Sequence, residues 1–176
     1  MDTWNAGSGE TTLQDVMTQI ENVKAKVEGV TISGGEPLDQ AEALEAILRV
    51  VRQVLSVDVL LFTGYPWEQL PEFVRSSGLV DAVVTDPYQA DVLQNLALRG
   101  SDNQRLHLLT QLGRDRFACF DRERSAADDH LDIGFDEEGT AWMAGIPRRG
   151  DLEKLLGLLR SQGHHATGVH DRRIAE

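Results

Sequence analysis

Val30-Thr31-Ile32-Ser33-Gly34-Gly35-Glu36-Pro37-Leu38 carries two instructions in one short stretch. Its first half is short and β-branched, which is strand chemistry. Its second half ends the strand: two glycines permit backbone conformations closed to other residues, and proline opens a following helix where its missing N–H costs little. Behind it Ala41, Leu44, Ile47, Leu48, Val51, Val54 and Leu55 recur on one helical face. The next strand, Val57 to Phe62, has Asp58 as its only charge, a near-continuous apolar run suited to a strand covered on both faces. Thr63-Gly64-Tyr65-Pro66 ends it, Trp67 to Ser76 reads as a short helix, and Leu79 to Val84 as a third strand. Alternation of this kind predicts right-handed βαβ crossovers and a parallel α/β sheet, with ligands outside the carboxyl ends of its strands.

Working outward, Thr11 stands three residues before Gln14, a capping-box spacing, and Leu13, Val16, Met17, Ile20 and Val23 share a helical face. No strand is predicted ahead of this helix. The strand from Val30 to Ser33 is therefore expected to expose one edge, and Met17 and Ile20 to be less buried than their periodicity implies. After Asp86-Pro87-Tyr88 the chain becomes irregular until the apolar stretch Leu106 to Thr110. Gly113 to His130, rich in Arg and Asp, reads as a solvated excursion. Leu131 to Phe135 and Thr140 to Ile146 flank a turn at Asp136-Glu137-Glu138-Gly139, a hairpin pattern. Asp151 is placed to cap a last helix with Leu152, Leu155, Leu156 and Leu159 inward, and Gly163 to end it. The polar tail from His164 to Glu176 reads as disordered.

Composition limits the function classes. The 176 residues are 41% hydrophobic and 26% charged, ordinary for a globular protein. A net charge of −12 argues against a nucleic-acid or anionic-membrane partner, since phosphates would be repelled. No apolar run approaches the ~20 residues needed to span a bilayer, and Met1 to Glu10 is polar rather than signal-like. Cys119 is the only cysteine, which excludes an internal disulfide and fits a reducing cytoplasm. Flanked by Phe117, Ala118 and Phe120, it reads as a small buried hydrophobe. His164, His165 and His170 lie in the polar tail without the rigid geometry of a metal site, so no metal ligands are expected.

Gly-Gly-Glu-Pro alone also fits a plain β-to-α turn. In context, Val30 to Leu38 resembles the S-adenosylmethionine (SAM) strand of radical SAM enzymes, in their glycyl-radical activase branch. There the Gly-Gly-Glu backbone and carboxylate hold the methionyl amino group. Thr63-Gly64-Tyr65 is similar to the Thr-Gly-Tyr of anaerobic ribonucleotide reductase activases, and Leu98 to Arg105 to their Arg-Gly-Ser-x-Asn-Gln-Arg loop. The resemblance covers about residues 2 to 112. It implies Gly34, Gly35, Glu36, Pro37, Thr63, Asp86, Arg99 and Asn103 as cofactor-binding residues. Asp86, at the end of the third strand, would lie near the methionyl end, or else simply start an Asp-Pro turn. Arg99 would pair with the SAM carboxylate or a partner carboxylate, or else brace its loop from the surface.

The same resemblance implies reductive cleavage of SAM to a 5′-deoxyadenosyl radical and hydrogen abstraction from a protein glycine or another substrate. It implies a glycyl-radical enzyme such as anaerobic ribonucleotide reductase as partner, and a flavodoxin- or ferredoxin-type electron donor. It also implies a 4Fe-4S cluster held by Cys-x3-Cys-x2-Cys, and no such cysteines are present. Asp2-Thr3-Trp4-Asn5 and Gly7-Ser8-Gly9 look like the family segment just past its third cysteine. The expectation is therefore an N-terminally truncated form, inactive as it stands, with the cluster only where the missing cysteines are present. A natural loss of the cluster is the competing explanation. Two other functions stay open: a cluster-free SAM- or partner-binding module without catalysis, and a radical SAM enzyme acting on a small molecule. The expected fold is α/β with parallel βα repeats in a partial TIM-like barrel, plus a C-terminal hairpin and helix. The expected layout is a core at 1–112, an extension at 113–163 and a tail at 164–176.

Overall fold

The computed structural model describes residues 11–129, 131–135, 141–148 and 150–163. They form two compact units, one ending at Glu123 and one starting at Arg124. The N-terminal segment likened to the cluster flank and the tail from His164 lie outside the described residues.

Helix α1 (Leu13–Val23) is capped by Thr12, whose side chain accepts from Asp15 N while Asp15 answers to the Thr12 backbone. The capping box thus sits one residue later than the Thr11–Gln14 spacing predicts. Strand β1 (Gly29–Ile32) leads through a 3-10 turn at Pro37–Gln40 into helix α2 (Ala41–Val54). Strand β2 (Asp58–Phe62) follows. The single helix expected from Trp67 to Ser76 is two pieces, a 3-10 turn at Trp67–Gln69 and helix α3 (Glu72–Arg75). Pro71 explains the break: it cannot donate to a continuing helix, but its fixed φ suits the start of a new one. Strand β3 (Ala82–Thr85) ends the alternation.

The sheet order is β1-β2-β3-β4, with β4 at Arg105–Leu108. The first three strands are parallel, in register Gly29↔Asp58 to Ile32↔Leu61 and Leu60↔Ala82 to Phe62↔Val84. β4 runs antiparallel to β3, with Thr85 opposite Arg105 and Ala82 opposite Leu108. No helix separates those two strands, so the chain returns in the opposite direction, as a crossover would not. Among the described residues β1 is an edge strand. α1 buries none of its residues, and Met17 and Ile20 are half-buried.

Both faces of the central strands are covered. On one, Leu44, Leu48 and Val51 of α2 meet Val59, Leu61, Val74 and Val83. On the other, Leu60, Ala82 and Val84 meet Phe117. Phe117 belongs to helix α4 (Gln111–Phe117), formed where the sequence reads as a solvated excursion and lying within the first unit. Thr110 caps α4 by accepting from Gly113 N at 3.0 Å, and its hydroxyl donates to Asp81. Gly113 meets the chain so closely that a Cβ there would lie 2.0 Å from the Asp81 carbonyl oxygen. Buried Asp81 also accepts from Val59 N at 2.8 Å and pairs with Arg52, and Arg116 Nε donates to Asp58 at 2.8 Å. These polar ties hold α4 across the starts of the strands and leave their carboxyl ends to the loops. Cys119, in the turn after α4, is exposed, not buried. Phe120 packs against the apolar cluster while Cys119 Sγ stays near Arg116 O at 3.6 Å.

The second unit holds hairpin strands β5 (Leu131–Phe135) and β6 (Ala141–Gly145), paired from Leu131↔Gly145 to Phe135↔Ala141. Helix α5 (Asp151–Ser161) follows. Its N-cap is Gly150 at φ 83°, with Asp151 the first helical residue, accepting from Arg148 N at 2.9 Å. Glycine takes the cap because the chain enters in a left-handed conformation.

Candidate functional site

Each of the three parallel strands ends in a loop carrying residues that the sequence singles out. After β1, Gly34 and Gly35 adopt φ of 86° and 49°, the region that favours glycine. A Cβ at Gly34 would meet nothing within 4 Å, so conformation rather than crowding requires the glycine. The turn delivers Glu36 to the end of β2. There one carboxylate oxygen accepts from Thr63 Oγ1 at 2.6 Å and Leu38 N at 3.0 Å, the other from Gly64 N at 2.7 Å. Glu36 is therefore a tie between two strand-end loops. Pro37 makes none of these contacts; it opens the 3-10 turn.

The tie extends to β3. Thr63 N donates to Val84 O at 3.0 Å, Thr63 Oγ1 accepts from Tyr65 N at 3.1 Å, and Asp86 N donates to Tyr65 O at 3.0 Å. Tyr65 OH donates to Asp39 at 2.9 Å, which raises the phenol above its ordinary pKa. Asp86 has φ 77°, a conformation that Asp tolerates better than most residues. Its carboxylate accepts from Thr85 Oγ1 at 2.8 Å and from Arg105 Nε at 2.7 Å, and the Arg105 bond holds it below the usual carboxylate range. Arg105 also makes a two-pronged pair with Glu68, at 2.9 and 3.0 Å, which lowers Glu68 to about 2. Beside them the His107 ring stacks on Trp67, centroids 4.2 Å apart, with Nε2 3.3 Å from Thr85 Oγ1. Burial, reinforced by Arg105, pushes His107 below its ordinary value.

The loop from Leu98 to Arg105 braces this end of the sheet. Ser101 Oγ accepts from Gln89 N at 3.1 Å, and Asp102 accepts from the backbones of Asn95 and Leu96. Gln104 accepts from Gly100 N at 2.8 Å and donates to Asp86 O at 3.0 Å. Asn103 Nδ2 donates to Pro87 O at 2.8 Å, while its Oδ1 is buried without a hydrogen-bond partner among the described residues. Gly34, Gly35, Glu36, Thr63, Asp86 and Asn103 thus gather along the strand ends. Arg99 does not join them. It is buried, not on the surface, and its guanidinium donates to Ala97 O, Phe120 O and Asp121. Arg105 closes the loop likened to the family's Arg-Gly-Ser-x-Asn-Gln-Arg but carries no site role in that reading, and Glu68, His107 and Trp67 belong to no motif. Their only sequence signal is a cation two residues before a histidine at the start of a short apolar run.

Residues 1–107 match the 4Fe-4S single cluster domain family. The anaerobic ribonucleoside-triphosphate reductase-activating protein of Enterobacteria phage T4 is 28% identical over 109 residues, 59% of this chain and 69% of that protein. The protein of that name from Vibrio cholerae serotype O1 is 30% identical over 120 residues, 61% of this chain and 76% of its own. The Escherichia coli K12 protein is 28% identical over 116 residues, 61% and 75% of the two chains. No solved structure matches the chain. The residues present do not fit a four-iron cluster, which needs several thiolates: the sequence has one cysteine, exposed beyond α4. What the strand ends do hold is glycine backbone at positive φ, the Glu36 tie and the Asp86–Arg105–Glu68 cluster.

Proposed function

This chain belongs to the 4Fe-4S single cluster domain family and to the anaerobic ribonucleoside-triphosphate reductase-activating proteins, and we propose that it is the SAM-binding part of a radical SAM activase. The observation that supports this most is the Glu36 tie. It sets the Gly34-Gly35 backbone beside Thr63 and Asp86 at the carboxyl ends of a parallel sheet, where α/β proteins take ligands. SAM held here would offer its sulfonium for one-electron reductive cleavage and hydrogen abstraction only with an electron from an iron–sulfur cluster, which the single cysteine of this sequence does not hold. This chain's own residues bind and orient. Gly34 and Gly35 allow close backbone approach, Thr63 and Glu36 hold that backbone, Asp86 offers an acceptor to a methionyl ammonium group, and Asn103 braces the Pro87 backbone beside it.

Three further elements belong to the proposal. The sheet is an arc of a partial TIM-like barrel. The partner is a glycyl-radical enzyme of the anaerobic ribonucleotide reductase kind, the protein that the relatives' name says they activate. The setting is cytoplasmic; no described helix is long and apolar enough to cross a membrane. The single cysteine favours one second reading, a cluster-free module that binds SAM without catalysis.

Calorimetry with SAM separates the two. With no iron to chelate the methionyl group, the activase reading expects a Kd in the upper micromolar range, and at least tenfold weaker binding in Gly34→Val. Submicromolar binding would favour the cluster-free module. Absence of binding up to saturating SAM would sink both.

A further inference from the structure

Two arginines lie in the loop that closes the strand ends, and only one faces the site. Arg99 spends its guanidinium on Ala97, Phe120 and Asp121. Arg105 stands at the first residue of β4, opposite Thr85, and holds two carboxylates on one fork. Those carboxylates are unequal. The Asp86 side chain is 15% exposed, anchored by Thr85 Oγ1, and its backbone is held at both N and O. The Glu68 side chain is 66% exposed, on a 3-10 turn of three residues. One cation against two carboxylates leaves a surplus negative charge. The pair with Asp86 is half-buried and built in, whereas the pair with Glu68 is an exposed contact of little net stability.

Resting on the SAM-site reading above, we propose that Arg105 is the anchor for the ligand's α-carboxylate, and that Glu68 is an internal counter-ion which the ligand displaces. The two-pronged geometry that Glu68 satisfies is the one a free carboxylate prefers on a guanidinium. The exchange conserves charge at the fork: one carboxylate leaves and another arrives, while Asp86 keeps the Nε side and hence the orientation. No covalent bond changes. The consequence is specificity. The site selects ligands that carry a free α-carboxylate over otherwise identical ligands that lack it.

The test compares SAM with decarboxylated SAM, which keeps the ammonium and sulfonium groups, by calorimetry on the whole chain. The expected result is a SAM preference of at least tenfold, falling below threefold in Arg105→Gln and reduced in Arg105→Lys, which keeps the charge but loses the fork. Glu68→Gln, whose exposed position makes misfolding no concern, should bind SAM several-fold tighter and leave decarboxylated SAM unchanged. An undiminished preference in the Arg105 variants overturns the assignment, as does a wild-type chain that binds SAM without discriminating. Equal weakening of both ligands also overturns it, because Arg105 would then only shape the loop. A wild-type chain that binds neither ligand overturns the SAM-site reading along with it.

Discussion

Replacing Glu36 by Gln tests whether this carboxylate is the tie that assembles the strand ends. The side chain accepts three hydrogen bonds, from Thr63 Oγ1, Gly64 N and Leu38 N, at 2.6, 2.7 and 3.0 Å. Gln keeps one acceptor oxygen, which serves Thr63 and Leu38, and turns an amide N–H towards Gly64 N–H. One charge-assisted bond, typically about 1.5–3 kcal/mol, is lost and two donors are opposed. Gly64 is exposed, so water recovers part of that. The expected loss is about 2 kcal/mol for Glu36→Gln and about 3–4 kcal/mol for Glu36→Ala, which strips the buried Thr63 hydroxyl of its acceptor. The assay is urea denaturation with unchanged m-value, joined to amide exchange at Gly34, Gly35 and Gly64, which should accelerate in both variants. A Gln variant within about 0.5 kcal/mol of wild type, with unaltered exchange at those glycines, would refute the tie.

Other outcomes follow from single features. His107, held low by burial, should titrate by NMR with a midpoint below the ordinary ~6.5. Its unfolded form then takes a proton first as pH falls, so its contribution to stability is complete above ~6.5 and fades below it. Trp67→Ala, which uncovers the ring, should move the midpoint back towards ~6.5 and flatten that slope. Gly113→Ala places a methyl group 2.0 Å from the Asp81 carbonyl oxygen and should cost about 3 kcal/mol or more, read from urea midpoints. Gly157→Ala, in exposed α5 with nothing within 4 Å, should gain about 1 kcal/mol by helix propensity, and equal effects at the two sites would contradict the packing of α4. Anaerobic reconstitution of this chain with iron and sulfide should yield well under four irons per chain, and iron analysis near four with a charge-transfer band would count against the cysteine argument.

The parallel strands were legible because each is a short β-branched or apolar run closed by glycine, proline or Asp-Pro, and those patterns act locally. α2 was legible for the same reason, through its long one-sided periodicity. α4 was not. Only Gly113 and Phe117 are buried on it, and the rest is Gln, Arg, Asp and an exposed Leu112, so its face is too narrow for a pattern. It exists because Thr110 caps it and because Arg116 and Gly113 meet β2 and β3, partners far off in sequence. Of the candidate site, the residues of the strand-end motifs came from the family resemblance of those motifs, not from spacing alone. The choice between Arg99 and Arg105 could not be read that way, since it turns on which guanidinium meets Glu68 and Asp86 across a loop. Cys119 misled for a related reason: among Phe117, Ala118 and Phe120 it reads as apolar, but a 3-10 turn carries Phe120 inward and leaves the thiol outside.

The most direct measurement is a backbone and arginine-side-chain NMR titration of this chain with SAM. The strand-end site predicts shifts concentrated at Gly34, Gly35, Gly64 and Asp86 amides and at Arg105 Nε–H, with α4, at the opposite ends of the strands, silent. Shifts centred elsewhere, or none at saturating SAM, would contradict it.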